Sequence, residues 1–284
     1  MIQINLLGGL GNQLFMIFAV VSYAIDYNID YVLIPNKNGT VHGVSSYWDN
    51  ILDCFKNKTC DISHYDHVYQ EPFYNFQSLP KNLSENNTLI NASYFQSYKY
   101  FAHNYQKIIQ IMGLLEKQKN ISYKYKFLFK SKTIAIHFRF GDYLSLQHFH
   151  CVTPYIYFVN AICSLANKLD DKGENIEDYQ ILYFCEPGND IYVNQFLKNI
   201  KENIKYNINF IKIPDEVPDW TQLLIMSCCD HFIITNSSFS WFGAYFSDKS
   251  DKIVYCPKHW FAPQSTSMNT KDLFPDEWIT IDNA

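Results

Sequence analysis

An α/β fold built on parallel sheets is predicted by three features of the chain. The chain opens with a strand, a glycine-rich turn and a helix, followed by a second strand. Strands and helices then alternate through the second half, which is typical of a parallel sheet with helices on both faces. Turns of small and polar residues follow three strands, at residues 8–15, 137–143 and 235–244. Because ligands of such folds bind at the carboxyl ends of the strands, we expect these turns to carry the function.

The first 125 residues are predicted to form an amino-terminal βα domain. Residues 36–95 are rich in Asn, Tyr, His and Pro and are expected to form loops and short helices around a groove. Elsewhere, buried apolar runs predict strands and helical periodicity predicts helices. The expected elements are a strand at 2–7, a helix at 12–27, a strand at 31–34 and a helix at 94–119.

Residues 126–284 are predicted to form a second, Rossmann-like domain. The lysine-rich segment 119–132 is expected to link the two domains. The alternation of elements is clearer here than in the first half. Strands are expected at 133–138, 180–184, 208–213, 231–235 and 252–255, and helices at 153–169, 190–200, 220–228 and 239–246.

Composition and charge describe an ordinary globular protein of 284 residues, which is long enough for two domains with their own cores. A net charge of −5 without a basic block argues against nucleic acid as a partner. The eight cysteines lack zinc-site spacing. They indicate reduced thiols, with a Cys54–Cys60 disulfide as the less favoured alternative.

No targeting or transmembrane segment is expected. Residues 2–7 already read as a buried strand, and residues 14–25 are apolar without a preceding basic region. About a dozen apolar residues are too few to cross a bilayer, which needs roughly 20. The sequence therefore predicts a cytoplasmic protein, with peripheral contact to a membrane left open.

The first turn, residues 8–11, reads GGLG and matches neither the dinucleotide fingerprint nor a P-loop. Such a turn can be only a tight connection. The amides of the next two residues, just inside the helix, can orient a phosphate or a hydroxyl. We therefore expect Gly9, Gly11, Asn12 and Gln13 to bind a ligand.

In the second turn, a strand delivers His137 and Arg139 to one face of the sheet. A guanidinium at a strand end can bind a diphosphate through two hydrogen bonds and stabilise the charge that develops as it leaves. We expect Arg139 and Asp142 to be catalytic and His137 and Arg139 to bind the ligand. An Arg139–Asp142 ion pair is the structural alternative, and both roles can coexist.

The third turn places Asn236, Ser237 and Ser238 between a strand and a helix. Capping of that helix is the structural interpretation. Hydroxyls and free N–H groups at a helix start also suit a phosphate, so we expect these residues and Ser240 to bind the ligand. The three turns together predict a nucleotide-diphosphate site assembled from both halves of the chain.

Several other enzyme classes lack their signatures in this sequence. The chain contains no Gly-x-Ser-x-Gly, His-Glu-x-x-His or Asp-x-Asp motif. A metal-bridged diphosphate is therefore not expected, and no metal site is predicted.

The combined motifs resemble those of the inverting α-1,2-fucosyltransferases of glycosyltransferase family 11, the galactoside 2-α-L-fucosyltransferase type. More distantly they are similar to α-1,6-fucosyltransferases and protein O-fucosyltransferases. The family motif GGLGNQLF is matched in full at residues 8–15, HxRRGDY except at Phe140, and NSSFSWWGA except at Phe242. Residues 225–231 and the tail with Trp260 also fit the family. The resemblance spans nearly the whole chain and is weakest from about residue 36 to 130.

This resemblance implies a GT-B fold, with two Rossmann-like domains facing a cleft and the acceptor on the amino-terminal side. It implies transfer of L-fucose from GDP-β-L-fucose to a hydroxyl of an oligosaccharide or glycoconjugate, O2 of a galactoside, with inversion and without a metal. Arg139 falls on the family arginine that binds the donor diphosphate. Donor-site positions are also matched by His137, Asp142, Asn236, Ser237 and Ser238.

Three positions depart from the family pattern. Phe140 stands in place of a second arginine, and Gln222 in place of an acidic residue associated with reading guanine, for which Asp219 could substitute. Residues 184–187 read FCEP where the family has FSDD. These departures keep two alternatives open: a different nucleotide sugar, or an inactive carbohydrate-binding pseudo-enzyme.

The general base is not assigned by the sequence. Asp142, His42 and Glu186 are candidates for deprotonating the acceptor. A transition state of oxocarbenium character could also proceed with little help from a base.

Overall fold

The computed structural model of the protein describes residues 1–35, 47–61, 64–265 and 268–283. The contacts between residues divide the chain into two compact units. Unit 1 comprises Met1–Lys117 with Ser267–Pro275, and unit 2 comprises Gln118–Thr266 with Asp276–Ala284. Each unit contains a parallel sheet and helices, as the strand and helix alternation predicts.

The sheet of unit 1 has four described strands in the order β2-β1-β4-β3, all parallel. Its central strands β1 and β4 are largely buried. The sequence predicted only two strands in this half, at 2–7 and 31–34, so that prediction was incomplete. Two three-residue strands lie within residues 36–95, where the polar composition favours loops. The strands are β1 (Ile2–Asn5), β2 (Tyr31–Ile34), β3 (His67–Tyr69) and β4 (Thr88–Ile90).

Helix α1 (Leu10–Tyr27) is the core helix of unit 1. Every residue from Gln13 to Ala24 is buried, and Asn28 ends the helix in the left-handed conformation with its N–H on the carbonyls of the last turn. At 18 residues, α1 is longer than the apolar run at residues 14–25, and its length and hydropathy alone would allow it to cross a membrane. Because 78% of that window is buried inside the protein, the helix has the burial of a core helix.

The helix expected at 94–119 is broken into separate pieces. Two short 3-10 turns precede α2 (Tyr105–Met112), and Gly113 in the left-handed conformation separates it from α3 (Leu114–Lys124). The segment expected to link the two domains, 119–132, contains the end of α3, a 3-10 turn at Lys126–Phe129 and the first residue of the next strand. Its residues Ile121 and Leu128, and the preceding Gln118, are buried, which fixes the segment to the protein.

Unit 2 contains a six-stranded parallel sheet in the order β10-β9-β8-β5-β6-β7. All five expected strands match within two residues at each end, and all four expected helices match within three. The strand β10 was not expected. The strands are β5 (Lys132–Phe138), β6 (Tyr179–Cys185), β7 (Asn209–Lys212), β8 (His231–Ile233), β9 (Val254–Pro257) and β10 (Ile279–Ile281). The helices are α4 (Tyr155–Asp170), α5 (Asp190–Asn203), α6 (Asp219–Ser227) and α7 (Ser238–Tyr245).

The core of unit 2 lies where α4 and α5 pack on the sheet. Ile134, Ile136 and Phe138 of β5 contact a cluster of fully buried residues that includes Phe158 and Leu165 of α4. All eight cysteines are free thiols, including Cys54 and Cys60. The helices pack on the faces of the sheet, and the turns that follow β5, β6 and β8 lie at its carboxyl edge.

Candidate active site

The strand order of unit 2 reverses at the neighbouring strands β5 and β8. Strands β6 and β7 extend the sheet from one side of β5, whereas β8, β9 and β10 extend it from the other. In open parallel sheets, ligands bind beside such a reversal, outside the carboxyl ends of the strands. The two predicted turns of this unit, 137–143 and 235–244, follow these two strands. The fold therefore brings both turns to one position on the sheet edge.

Two carboxylates hold the guanidinium of Arg139 at this edge. Its Nη2 donates to Asp142 Oδ1 at 2.6 Å, and its Nη1 donates to Glu186, which follows β6. The guanidinium carbon lies 4.8 Å from the centre of the Tyr143 ring, a cation–π distance. The ion pair considered as an alternative is therefore present. Since a guanidinium has five N–H donors, these two bonds fix the cation without using all of its donors.

Glu186 packs closely against the turn after β5. Gly141 has a φ of +36°, and a Cβ atom at that position would collide with the Glu186 carboxyl group. The Oε2 atom of Glu186 is buried and has no hydrogen-bond partner within the described part of the chain. Buried carboxylate oxygens are costly without a donor, and a ligand hydroxyl could supply one.

His137 lies at the end of β5 and is buried. Its Nδ1 is 3.1 Å from the hydroxyl oxygen of Thr235, and its ring packs against Phe239 at 5.5 Å between centroids. Burial, assisted by the charge of Arg139, lowers the pKa of His137 to about 3. The imidazole is therefore neutral at physiological pH. It can donate or accept a hydrogen bond, but it offers no positive charge to a phosphate.

Asn236 joins three loops of unit 2 through its buried side chain. Its Nδ2 donates to the carbonyls of Cys151 at 2.9 Å and Trp260 at 3.0 Å, and its Oδ1 accepts from the Thr153 hydroxyl at 3.1 Å. Its carbonyl accepts from the Tyr143 hydroxyl at 2.8 Å. The side chain of this predicted ligand-binding residue is thus occupied by the protein, and its effect on a ligand would come through the loops that it positions.

The serines of the third turn lie at the start of α7. Ser237 is the N-cap residue of α7, but its side chain makes no capping hydrogen bond. The capping interpretation of this turn therefore applies to the backbone position of Ser237 and not to its hydroxyl. Ser240 is fully buried and donates to the Ser237 carbonyl at 3.2 Å, whereas Ser238 is half-buried. A helix start whose N-cap hydroxyl leaves the backbone N–H groups to other acceptors is suited to binding an anion.

The departures from the family pattern have structural explanations in unit 2. Phe140 points into the core, where its ring lies 5.7 Å from Tyr192 and 5.0 Å from Phe196. The Gln222 amide donates to the Val217 carbonyl at 2.8 Å, and the Asp219 carboxylate accepts the Trp220 N–H at 2.7 Å. Phe140 therefore packs in the core at the position where the family motif has a second arginine.

The glycine turn of unit 1 follows β1 and leads into α1. Gly8 has a φ of +70°, and a Cβ atom there would press on the Asn12 amide. Gly9 is the N-cap of α1 and brings no side chain to the first-turn N–H groups, while Gly11 is buried. Gln13 Nε2 donates to the Gly8 carbonyl at 2.9 Å. This turn thus has the exposed helix start that its sequence predicts.

A chain of neutral side chains extends from this turn along the carboxyl edge of unit 1. Gln96 Nε2 donates to Asn12 Oδ1 at 2.8 Å, and the Tyr74 hydroxyl donates to Gln96 Oε1. At the neighbouring strand ends, Asn5 Nδ2 donates to Asn91 Oδ1 at 3.1 Å. Paired amides and hydroxyls of this kind match the hydrogen-bonding groups of a sugar.

Glu71, which follows β3, supports this edge. Its carboxylate accepts the Phe95 N–H at 3.0 Å and the Tyr100 hydroxyl at 2.9 Å, and its own N–H donates to Ser93 Oγ at 2.7 Å. Burial raises the pKa of Glu71 to about 7, and these hydrogen bonds only partly oppose that effect. Phe95 has a φ of +51°, a strained conformation for a bulky residue, which the carboxylate holds in place.

Sequence reasoning missed the residues that act through these contacts. Tyr143 and Thr235 lie inside the predicted turns, but only the fold shows their contacts with Arg139 and His137. Gln96, which binds Asn12, and Glu71 lie outside every motif. The candidate base His42 lies outside the described residues. Across the described ranges, no cluster of three or more His, Cys, Asp or Glu side chains could hold a metal ion.

The family model described as glycosyl transferase family 11 matches residues 58–282. The chain therefore belongs to this family and is a glycosyltransferase. The match includes the second and third turns, and with them Arg139 and the start of α7.

Two curated relatives from Escherichia coli are similar to this chain. The O-antigen biosynthesis glycosyltransferase WbnK is 27% identical over 227 residues, which cover 76% of this chain and 68% of the relative. An alpha-1,2-colitosyltransferase is 23% identical over 298 aligned residues, which cover 98% of each protein.

Among solved structures, the fucosyltransferase NodZ from Bradyrhizobium matches with a TM-score of 0.51 and 12% identity, over 86% of this chain and 92% of that one. At this identity the likeness concerns the fold alone. The α/β fold with two parallel-sheet units is of the GT-B type, as the resemblance implied.

Proposed function

We propose that the protein transfers L-fucose from GDP-β-L-fucose to a hydroxyl of a glycan acceptor, O2 of a galactoside, with inversion and without a metal. The proposal rests above all on Arg139, a cation fixed at the strand-order reversal of unit 2 beside the start of α7. The family membership limits the chemistry to glycosyl transfer.

In this proposal, unit 2 binds the diphosphate of the donor. Guanidinium groups match the spacing of phosphate oxygens and bind them with charge-assisted hydrogen bonds. The first turn of α7 adds backbone N–H groups and the positive end of the helix dipole. Both would stabilise the charge that gathers on GDP as its bond to the sugar breaks.

Inversion follows from a single displacement. The acceptor oxygen forms its bond to the anomeric carbon as the bond from that carbon to the GDP oxygen breaks, and the hydroxyl proton passes to a base or to water. The proposal names no base, because Asp142 and Glu186 both accept hydrogen bonds from Arg139.

Unit 1 is proposed to bind the acceptor. Its carboxyl edge presents the paired amides of Asn5, Asn12 and Gln96. The rings of Phe73 and Tyr94, in the loops after β3 and β4, are 62% and 36% exposed. Exposed rings beside amides are suited to a sugar, whose C–H face packs on an aromatic ring while its hydroxyls form hydrogen bonds.

A second candidate donor has support of its own. The relative that aligns over 98% of both chains is named an alpha-1,2-colitosyltransferase, so a family member transfers a sugar other than fucose. Phe140 removes a positive charge from the motif that carries Arg139. We therefore include a nucleotide sugar other than GDP-fucose as the alternative substrate.

Incubation of the purified protein with GDP-fucose and a panel of β-galactosides in EDTA tests the proposal. GDP release, product mass and the anomeric coupling constant of the product would report donor, metal independence and stereochemistry. We expect a fucosylated product with the α-L configuration, formed at least about 100-fold more slowly by an Arg139→Gln variant. Transfer from GDP-mannose, GDP-colitose or a UDP sugar, but not from GDP-fucose, would establish the alternative, and acceptor binding without any turnover would contradict both.

A further inference from the structure

Residues 119–130, which we call the lysine–aromatic segment, form an exposed surface of unit 2. The segment comprises the end of α3 and the following 3-10 turn. Its inner side is anchored: Ile121 and Leu128 are buried, and the preceding Gln118 donates to the Ser227 hydroxyl at 2.9 Å and the Phe246 carbonyl at 3.0 Å. The outer side is therefore presented on a fixed support.

Two aromatic rings lie on the outer side of this segment. Tyr123 is 78% exposed and Phe127 is 59% exposed. These residues lie four positions apart, near the end of α3 and inside the 3-10 turn. Single exposed apolar residues are common, but two large exposed rings within five residues of an anchored segment indicate a surface that contacts something.

Lysines surround these rings. The side chains of Lys119, Lys124, Lys126 and Lys130 are exposed, and none is paired with a carboxylate that the structure describes. The Nζ atom of Lys126 lies 5.7 Å from the centre of the Tyr123 ring. No acidic residue occurs from position 117 to 132, although the whole chain carries a net charge of −5. The positive charge is therefore local, and it opposes the charge of the rest of the protein.

We propose that the lysine–aromatic segment docks the protein on a membrane surface rich in anionic lipid. Aromatic rings favour the headgroup level of a bilayer, where an apolar ring and its polar surroundings are both accommodated. Lysines near an anionic leaflet gain electrostatic energy that depends on lipid charge and is screened by salt. With two rings and four lysines, the contact is reversible and superficial, and it does not depend on the glycosyl donor or acceptor.

Co-sedimentation with vesicles tests this proposal. The purified protein is mixed with vesicles of phosphatidylcholine alone or with one third phosphatidylglycerol, at low salt and at about 0.5 M salt. We expect binding to the anionic vesicles at least ten-fold above binding to the neutral ones, and its loss at high salt. The Lys124→Gln/Lys126→Gln variant should bind anionic vesicles about 30-fold more weakly than the unaltered protein. A separate Tyr123→Ser/Phe127→Ser variant, with all lysines kept, should also lose most of its binding.

Matched variants outside the segment serve as controls. Lys168→Gln/Lys198→Gln removes two exposed lysines elsewhere in unit 2, and Ile191→Ser removes a side chain that is 82% exposed. Both controls should bind anionic vesicles like the unaltered protein, and thermal unfolding should show that all variants are folded. Equal binding to neutral and anionic vesicles, or retained binding by both segment variants, would overturn the proposal. Tighter binding of a DNA duplex than of anionic vesicles, lost in the same lysine variant, would overturn it in favour of a nucleic-acid surface.

Discussion

The carboxyl edges of the two units hold their polar side chains in opposite ways. In unit 2, the motif residues surround one fixed cation, and most of them are buried: His137 is neutral and paired with Thr235, and the Asn236 side chain is fully used by the protein. In unit 1, the corresponding edge carries paired amides, of which Asn5 and Asn12 are half-buried, Asn91 is exposed and Gln96 is buried.

This difference supports the proposed division of labour, with the donor diphosphate on unit 2 and the acceptor on unit 1. A fixed cation with a helix start is suited to a diphosphate, whose charge is concentrated and whose position must be exact to within a bond length. Neutral amides beside exposed rings are suited to a sugar, whose many hydroxyls offer weak, distributed contacts. The following tests are designed to break or refine that comparison.

Removal of the cation should have the largest effect. Arg139→Gln should lower kcat with GDP-fucose at least about 100-fold, because the charge developing on the leaving diphosphate loses its main partner. Lys212 is another cation at the carboxyl edge of unit 2, paired with Asp190 at 2.5 Å. Lys212→Gln should change kcat less than about three-fold. Similar losses in both variants would show that general charge, and not Arg139, matters.

Amide substitutions should affect stability in unit 2 and not in unit 1. Asn236→Ala removes three hydrogen bonds, two of them buried, from two backbone carbonyls and a hydroxyl, so urea unfolding should show a loss of about 3 kcal/mol. Asn5→Ala removes one exposed amide pair and should cost less than about 0.5 kcal/mol. An Asn236→Ala protein as stable as the unaltered one would contradict the assignment of this residue to loop positioning.

The protonation of Glu71 should make the stability of unit 1 depend on pH. Burial raises the pKa of Glu71 from 4.5 to about 7. Between these values the folded protein keeps a proton that the unfolded chain releases, so the free energy of unfolding falls as pH rises, in total by on the order of 3 kcal/mol. Urea unfolding at pH 5 and pH 8 should show this fall, and Glu71→Gln should remove it.

The exposed Glu85 of unit 1 provides the control for this experiment. A Glu85→Gln variant should keep the pH dependence of the unaltered protein. If Glu71→Gln keeps it as well, the carboxyl group of Glu71 is not the protonated group. A carbon-13 titration of the Glu71 carboxyl carbon would then locate its pKa directly.

The smallest effect is expected at the proposed acceptor surface. Phe73→Ala removes a ring that is 62% exposed and should raise KM for the acceptor about five- to ten-fold, with kcat and the KM for GDP-fucose unchanged. Ile191→Ala alters a comparably exposed apolar residue of unit 2 and should leave both constants unchanged. A change in the KM for donor after Phe73→Ala would contradict the division between the units.

The sequence predicts unit 2 well because its elements are long and periodic. The apolar pattern of the sequence predicts a seven-residue buried strand such as β5 and a long helix such as α4. The motifs then show which strand ends carry polar turns. Unit 1 was harder, because β3 and β4 have three residues each and derive their stability from pairing with β1. Gly113 also breaks a periodic run that the pattern alone extends as one helix.

For the candidate site, the sequence named residues but few of their partners. The Arg139–Asp142 ion pair was anticipated as an alternative, whereas only the fold shows that Glu186 joins it. Phe140 looked like a lost charge, and its ring turns out to belong to the core. Glu71 carried no signal at all, because its unusual pKa arises from burial by residues far along the chain.

Calorimetric titration of GDP into the unaltered protein and into Arg139→Gln, both in EDTA, tests the central claim most directly. We predict metal-independent binding of GDP that weakens about 30-fold in the variant, the effect of losing a charge-assisted pair. Asn5→Ala of unit 1 should bind GDP like the unaltered protein. Equal affinity of the unaltered protein and Arg139→Gln for GDP, or binding of GDP only when a divalent metal is added, would contradict the account.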